Sequence, residues 1–349
     1  MPIRLDARAA DFAARFAAFL AKKRELAEDV ADSVRAIIAD VRRRGDRALV
    51  ELSQKFDRVD LGRIGLRVSA DEIAAATAQC DGTAIAALKF ARDRIEAYHR
   101  RQKPDDERFT DALGVELGHR WTAIEAVGLY VPGGSAAYPS SVLMNAVPAK
   151  VAGVPRLVMT VPAPEGKLAP LVLAAAALAG IDEIYRVGGA QAIAALAYGT
   201  ETIKPVAKIV GPGNAYVAEA KRAVFGTVGI DMIAGPSEVL IIADATANPN
   251  WVAADLLAQA EHDAAAQAIL ITDDAALAAA VERAVDGQLA TLPRSATAGA
   301  SWRDHGAIIL VTDLDDAVAL VDAIAPEHLE IETADPERLA AKIRNAGAI

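Results

Sequence analysis

From Val115 onward, short apolar runs alternate with alanine-rich segments of helical length, and this alternation limits the possible folds more than any other feature. The apolar runs span residues 123–131, 157–161, 183–187, 207–210, 239–243, 268–272, 307–311 and 329–332. The segments of helical length span residues 170–179, 190–198, 215–224, 249–262, 275–285, 314–324 and 336–345. Alternation of strands and helices is typical of parallel sheets that helices cover on both faces. We therefore predict an α/β fold with two parallel-sheet units that meet near residues 232–238.

Residues 1 to about 103 carry apolar side chains at helical spacing instead. Phe12, Phe16 and Phe19, for example, recur at intervals of four and three residues. This pattern predicts a helical N-terminal region, and residues 1–24 form a separate arm because the charged stretch KKRELAED begins at its end. The phenylalanine stripe fits packing against a second chain as well as packing within its own chain, and both interpretations remain open.

Charge and composition exclude several classes of protein. The chain has 37 Lys and Arg against 47 Asp and Glu, a net charge of −10, whereas a duplex-binding protein needs a basic face. The longest uncharged apolar run, residues 168–181, is too short to cross a bilayer, and the first residues lack an apolar signal core. Cys80 is the only cysteine, which excludes an intramolecular disulfide and a cysteine-based zinc knuckle. We expect a cytoplasmic protein that binds neither nucleic acid nor membrane.

Glycine clusters follow three of the predicted strands, at residues 130–134, 187–191 and 210–214. Two of them lead directly into helices, whose free N–H groups favour a phosphate. Tight turns between strands and helices also need glycine without any ligand. None of the clusters reads GxGxxG, and no acidic residue stands at the later position that usually binds a ribose. Together the clusters indicate a nucleotide cleft of an atypical kind.

Two pairs of polar residues are candidates for chemistry. Gln259 and His262, three residues apart near the end of a predicted helix, share a face and offer two zinc ligands or an ordinary hydrogen-bonded pair. Glu327 and His328 follow Pro326, which stops the preceding helix, so they lie in a turn. A carboxylate beside an imidazole is suited to general acid–base catalysis, and an exposed polar turn is the other interpretation.

Seven segments in order resemble the histidinol dehydrogenase family, and the resemblance extends through essentially the whole chain. These segments are VGLYVPGG at 127–134, YPSSVLMNAVPAKVAGV at 138–154, GGAQAIAALAYGT at 188–200, VGPGN at 210–214, DMIAGPSEVLIIAD at 231–244, LLAQAEHD at 256–263 and APEHLEI at 325–331. The resemblance implies the NAD-dependent, four-electron oxidation of L-histidinol to L-histidine through histidinaldehyde, which is the last step of histidine synthesis. It also implies two Rossmann-like units similar to those of the aldehyde dehydrogenase fold group.

The resemblance also assigns roles to residues that match the family's motifs. Three residues are implied to contact NAD: Tyr130, Gln191 and Asn214. Substrate contacts are implied for Ser237, Gln259, His262 and His328, of which Gln259 and His262 also resemble zinc ligands. Glu327 and His328 match the family's acid–base pair.

The resemblance further implies a homodimer and a domain division. Residues 25–128 and 238–349 would form the catalytic α/β domain, and residues 129–237 the NAD-contacting one. The sequence ends at Ile349, where the family continues into a segment with two further zinc ligands. We therefore expect an incomplete zinc site and little turnover from these 349 residues. Two alternatives are a relative that oxidises another primary alcohol, such as a sulfonated propanediol, and a non-catalytic α/β scaffold.

Overall fold

The computed structural model describes residues 1–22, 30–133, 138–233 and 237–349. The chain divides into two compact units: unit 1 comprises Met1–Leu26 and Gly235–Ile349, and unit 2 comprises Ala27–Ala234. This differs from the predicted division, because residues 27–128 group with the middle of the chain and the N-terminal arm groups with the C-terminal sheet. Part of the predicted junction at 232–238, Gly134, and the predicted boundary after residue 24 lie outside the described residues.

Every predicted strand and helix after residue 125 is present, but the helices Pro139–Ala152 and Ser295–His305 were not predicted, and the last helix ends at Ala340 instead of residue 345. The strands are β1 (Ile3–Asp6), β2 (Glu107–Thr110), β3 (Glu116–His119), β4 (Ala126–Tyr130), β5 (Arg156–Thr160), β6 (Glu183–Tyr185), β7 (Lys208–Val210), β8 (Gly229–Ile230), β9 (Glu238–Ala243), β10 (Gln267–Thr272), β11 (Ala307–Leu310) and β12 (His328–Glu332). The helices are α1 (Phe12–Lys22), α2 (Ala31–Arg44), α3 (Asp46–Phe56), α4 (Leu61–Ile64), α5 (Ala70–Ala78), α6 (Gly82–Arg100), α7 (Pro139–Ala152), α8 (Pro170–Leu178), α9 (Gly189–Tyr198), α10 (Ala215–Val224), α11 (Pro249–Ala260), α12 (Ala275–Leu289), α13 (Ser295–His305), α14 (Leu314–Ile324) and α15 (Pro336–Ala340).

Unit 2 is built on a parallel five-stranded sheet in the order β6-β5-β4-β7-β8. All five residues of the central strand β4 are buried, because α2, α3, α9 and α10 pack on one face and α5, α7 and α8 on the other. This two-sided burial explains why the strand sequences read as continuous apolar runs without alternation. The antiparallel hairpin of β2 and β3 is exposed and was not predicted.

Unit 1 contains a second parallel five-stranded sheet, in the order β1-β11-β10-β9-β12. Alternate residues of β9 enter different cores: Leu240 and Ile242 pack with α1 and α14, whereas Val239 and Ile241 pack with α11 to α13. The prediction of two parallel-sheet units is therefore confirmed.

The N-terminal arm belongs to the unit 1 sheet. The prediction that it is wholly helical was wrong, because Ile3–Asp6 pairs with β11 as an edge strand. The rings of Phe16 and Phe19 are buried in the same core as Leu5, so the phenylalanine stripe packs within its own chain. Within the described ranges, no helix combines the length and the apolar character that crossing a membrane requires.

Candidate active site

Three glycine turns converge at the edge of the unit 2 sheet where the strands end, which we call the carboxyl edge. Tyr130 is the last residue of β4, and its hydroxyl accepts a hydrogen bond of 3.1 Å from the N–H of Gly189, which follows β6. Gly211 follows β7, and a Cβ atom there would lie 2.1 Å from the Tyr130 carbonyl oxygen. Its φ of +118° also disfavours any other residue. The turns that the sequence singled out therefore touch one another.

A cavity of about 1060 Å³ opens beside these turns. Tyr130, Gln191 and Asn214, the three predicted NAD contacts, all line it. The amino ends of α9 and α10 meet there, and the Asn214 side chain caps α10 by accepting the N–H of Val217 at 3.2 Å. Its volume lies slightly above the range of about 300–1,000 Å³ for small-molecule and cofactor sites, and helix amino ends favour a phosphate. The cavity thus fits a dinucleotide.

Burial raises the pKa of the Tyr130 hydroxyl, and the nearby Asp57 carboxylate acts in the same direction. The hydroxyl therefore stays protonated at neutral pH. Because its oxygen already accepts the N–H of Gly189, its proton is free for an acceptor in the cavity.

A buried ion pair fixes the turn after β7. The Lys221 ammonium, 2% exposed, donates to the Gly211 carbonyl at 3.0 Å and forms an ion pair with Asp231. The other oxygen of Asp231 accepts the N–H of Gly211 at 2.7 Å. Neither residue is predictable from the sequence, since a single lysine in a helix and a distant aspartate form no recognisable pattern.

The acid–base candidates lie in unit 1, at the edge of its sheet where the strands begin, which we call the amino edge. The helix before them ends at Ile324 as predicted, and Ala325 adopts a left-handed conformation with φ of +51°. The prediction that both residues lie in a turn was wrong for His328, because it is the first residue of β12 and pairs with Val239. Oε1 of Glu327 lies 3.7 Å from Nε2 of His328, and both side chains are 49% exposed. Ser237 immediately precedes β9, which pairs with β12, so it lies at the same edge.

The helix α11 brings Gln259 and His262 back to that edge. It connects the parallel strands β9 and β10, so it runs antiparallel to them. It ends at Ala260, two residues before the predicted end, because the last N–H groups bond in tighter turns, including that of His262 to the Gln259 carbonyl at 3.1 Å. The backbone N–H of Gln267 donates to the Ser237 carbonyl at 2.9 Å, which ties the start of β10 to the same edge.

Two polar stripes show how α11 faces β12. Oxygen atoms of Asp255 on the helix and of Glu330 and Glu332 on the strand lie within 4.8 Å of one another. Gln259 is one helical turn beyond Asp255 on the same face, a rise of about 6 Å. His328 is two residues before Glu330 on the same side of the strand, a rise of about 6.6 Å. From these matching rises we expect Gln259 to lie level with His328, at the amino edge of unit 1.

Gln259 and His262 offer an amide oxygen and an imidazole nitrogen, which fit two of the four positions of a zinc ion. Among the described residues, the only three carboxylate, imidazole or thiolate donors that come together are those of Asp255, Glu330 and Glu332, so His262 joins no such group. Gln259 and His262 thus offer two donors for zinc, and among the described residues no two further carboxylates, imidazoles or thiolates join them.

Comparison with known proteins identifies the family. Residues 20–349 match the sequence profile described as histidinol dehydrogenase. The chain is 72% identical over 349 residues to histidinol dehydrogenase of Bradyrhizobium diazoefficiens, covering all of this chain and 81% of that protein. The same identity and coverage hold for histidinol dehydrogenase of Nitrobacter winogradskyi. The crystal structure of histidinol dehydrogenase from Elizabethkingia anophelis is similar with a TM-score of 0.92 and 38% identity, over 99% of this chain and 79% of that one. On this evidence the chain belongs to the histidinol dehydrogenase family.

Proposed function

We propose that this chain oxidises L-histidinol to L-histidine through histidinaldehyde, with NAD as the hydride acceptor, as the last step of histidine synthesis. One observation carries the proposal: the half-exposed Glu327–His328 pair stands at the amino edge of unit 1, the edge at which Ser237 and the start of β9 also lie. A carboxylate, an imidazole and two polar ligands at one edge suit a polar alcohol that carries its own imidazole and amine.

NAD would be held in the unit 2 cavity by Tyr130, Gln191 and Asn214, with its diphosphate at the amino ends of α9 and α10. When bound, NAD supplies the acceptor for the hydride that leaves the alcohol carbon. The residues of the chain contribute binding and orientation, because the protonated Tyr130 hydroxyl and the Asn214 and Gln191 amides are all hydrogen-bond donors.

In this proposal His328 takes the proton from the substrate hydroxyl while the carbon loses its hydride. A neutral imidazole has a free ring nitrogen that can accept a proton, which suits a general base. Glu327 then removes a proton from the water that adds to histidinaldehyde, and a second hydride leaves the resulting hydrate to give the carboxylate. Half exposure of both side chains leaves them open to substrate and water.

Gln259 and His262 would hold a zinc ion, which when bound orients the substrate through its imidazole and amine. Ser237, at the same edge, would contact the substrate directly. We further propose that the working form is a cytoplasmic homodimer that binds neither nucleic acid nor membrane.

The test is a stoichiometric assay with NAD, zinc and limiting histidinol. Two NADH and one histidine per histidinol are expected, because two hydrides leave one carbon. If only one NADH forms per histidinol and histidinaldehyde accumulates, the proposed activation of water by Glu327 is wrong. Faster oxidation of a sulfonated propanediol than of histidinol would instead identify another primary alcohol as the substrate.

A further inference from the structure

The wall of the unit 2 cavity that α2 and α3 form carries a carboxylate that the proposed function does not use. Four charged residues line this cavity: Asp40, Arg43, Lys55 and Asp57. The Asp40 carboxylate is already paired, with Arg43 at 2.6 Å and with Arg44 through both of its oxygens, and the Lys55 ammonium lies 5.2 Å from the centre of the Phe56 ring. The carboxylate of Asp57 makes no hydrogen bond or ion pair to any residue in the described ranges, so it remains available to a ligand.

The backbone holds Asp57 firmly in this position. Its N–H donates to the Ser53 carbonyl at 2.9 Å at the end of α3, and its carbonyl accepts the N–H of Glu165 at 2.7 Å. Glu165 lies just beyond Pro162, which packs against Gly188: a Cβ atom on that glycine would lie 2.4 Å from the Pro162 side chain. Asp57 is thereby tied to the loop that shapes the glycine turns.

The charge of Asp57 determines which part of a dinucleotide it accepts. Asp57 lines the same cavity as Tyr130, and its carboxylate acts electrostatically on the Tyr130 hydroxyl. A carboxylate repels a phosphate, whereas two adjacent ribose hydroxyls can each donate to it. The free N–H groups at the amino ends of α9 and α10 bind a diphosphate more favourably. A ribose is therefore the matching partner for Asp57.

Apolar side chains beside Asp57 indicate which ribose this is. Ile37, Leu52 and Phe56 line the same wall, and the Phe56 ring is 51% exposed. These side chains offer a surface for a flat base, so base, ribose and diphosphate would follow one another from α3 to the glycine turns. Both halves of NAD follow this order, but an apolar wall favours the uncharged adenine over the cationic nicotinamide ring of the oxidised cofactor.

We infer that Asp57 accepts hydrogen bonds from the adenosine ribose hydroxyls of NAD and excludes NADP, whose 2′-phosphate would meet its charge. The inference rests on the proposed function, since it assumes that the cavity binds NAD. It also explains how the chain binds ribose without an acidic residue at the usual position after a glycine motif. A carboxylate from the end of α3 does so instead.

The test is calorimetric titration of the purified chain, without histidinol, with NAD, NADP and NAD that lacks the adenosine 2′-hydroxyl. The wild-type chain should bind NAD at least 100-fold more tightly than NADP and at least fivefold more tightly than the deoxy form. Asp57→Asn should weaken NAD binding about tenfold. It should reduce the preference for NAD over NADP at least tenfold and bring the preference for NAD over the deoxy form close to unity.

Asp60→Asn is the matched control, because it removes the same charge three residues away and asparagine still caps α4. It should leave both preferences unchanged. If the wild-type chain binds neither nucleotide, the proposed function fails and this inference with it. If it binds NAD but binds NADP or the deoxy form equally well, or if Asp57→Asn keeps the wild-type preferences, the inference alone is overturned. The comparison of NAD with the deoxy form uses the wild-type chain, so it still tests the inference if Asp57→Asn does not fold.

Discussion

The backbone N–H of Glu238 donates a hydrogen bond of 3.2 Å to Oε2 of Glu327. Glu238 is the first residue of β9, and Glu327 directly precedes the neighbouring strand β12. The bond turns one carboxylate oxygen toward the sheet, while the other lies 3.7 Å from His328. A carboxylate held at one oxygen keeps a fixed orientation, which is what a general base needs.

We predict that Glu327→Gln lowers kcat for histidinaldehyde oxidation by about 10²- to 10⁴-fold, because the amide cannot take a proton from water. The Kd for NAD should stay within twofold of the wild-type value. Stopped-flow measurement of NADH formation from histidinol and from histidinaldehyde separates the two oxidations.

Glu261→Gln is the control, since Glu261 lies beside His262 but is not part of the proposed pair. It should keep near wild-type rates. A Glu327→Gln variant with unchanged aldehyde oxidation would assign the water activation to another residue.

Gly347 supports Glu327 from the other side. Its N–H donates to the Pro326 carbonyl at 3.0 Å, and a Cβ atom there would lie 2.6 Å from the Glu327 carbonyl oxygen. Gly347→Ala should displace the Glu327 backbone and lower kcat by tenfold or more without changing the Kd for NAD. Steady-state kinetics and calorimetry measure the two effects.

Gly287→Ala provides the comparison, because nothing lies within 4 Å of the added Cβ atom on α12. Alanine there should stabilise the helix by up to about 1 kcal/mol and leave kcat unchanged. Equal kcat values for the two variants would show that Gly347 has no positioning role.

Much of the fold was predictable because the spacing of apolar residues along the sequence matches the side of each element that is buried. The helices α10 and α14 begin and end at the predicted residues, and Pro326 correctly marked the end of α14. In contrast, β1 was missed: its four residues, IRLD, contain charges because it is an edge strand. Strand pairing of such a segment depends on a partner 300 residues away, which local periodicity does not report.

The candidate site was predictable only where a motif carried it. The glycine clusters pointed to the cavity from local chemistry alone, and their convergence follows from strand order. Asp57 and Lys221 were not predictable, because each acts through a contact made in three dimensions. The phenylalanine stripe illustrates the same limit: its period predicted a buried face but did not determine what covers it.

The acidic cluster behind His328 should make stability depend on pH. Burial, followed by the nearby Asp255 and Glu330 carboxylates, raises the pKa of Glu332 to about 7, from 4.5. The folded chain therefore binds more protons than the unfolded chain between these values. The stabilisation is fully present below pH 4.5 and is lost as the pH rises through 7.

Because the side chain is partly solvated, we expect a loss of about 1–2 kcal/mol in the free energy of unfolding from this group. Urea unfolding at pH 5 and pH 8 measures it, and Glu332→Gln should remove most of the difference. The exposed Glu337→Gln should leave it intact. If Glu332→Gln retains the full dependence, another group causes it.

Lys221 should be essential to unit 2 because it is a buried charge with two partners. Lys221→Met leaves the Asp231 carboxylate without its cation and the Gly211 carbonyl without its donor. We expect the free energy of unfolding to fall by about 3–5 kcal/mol and NAD binding to weaken, since the turn before Asn214 loses its support. The double variant Lys221→Met/Asp231→Asn should regain part of the stability, because no unpaired carboxylate remains.

Arg222→Met, at the next and exposed position, should lower the free energy of unfolding by less than about 1 kcal/mol. Chemical unfolding followed by nucleotide titration distinguishes these cases, and equal losses for Lys221→Met and Arg222→Met would show that the buried pair contributes nothing special.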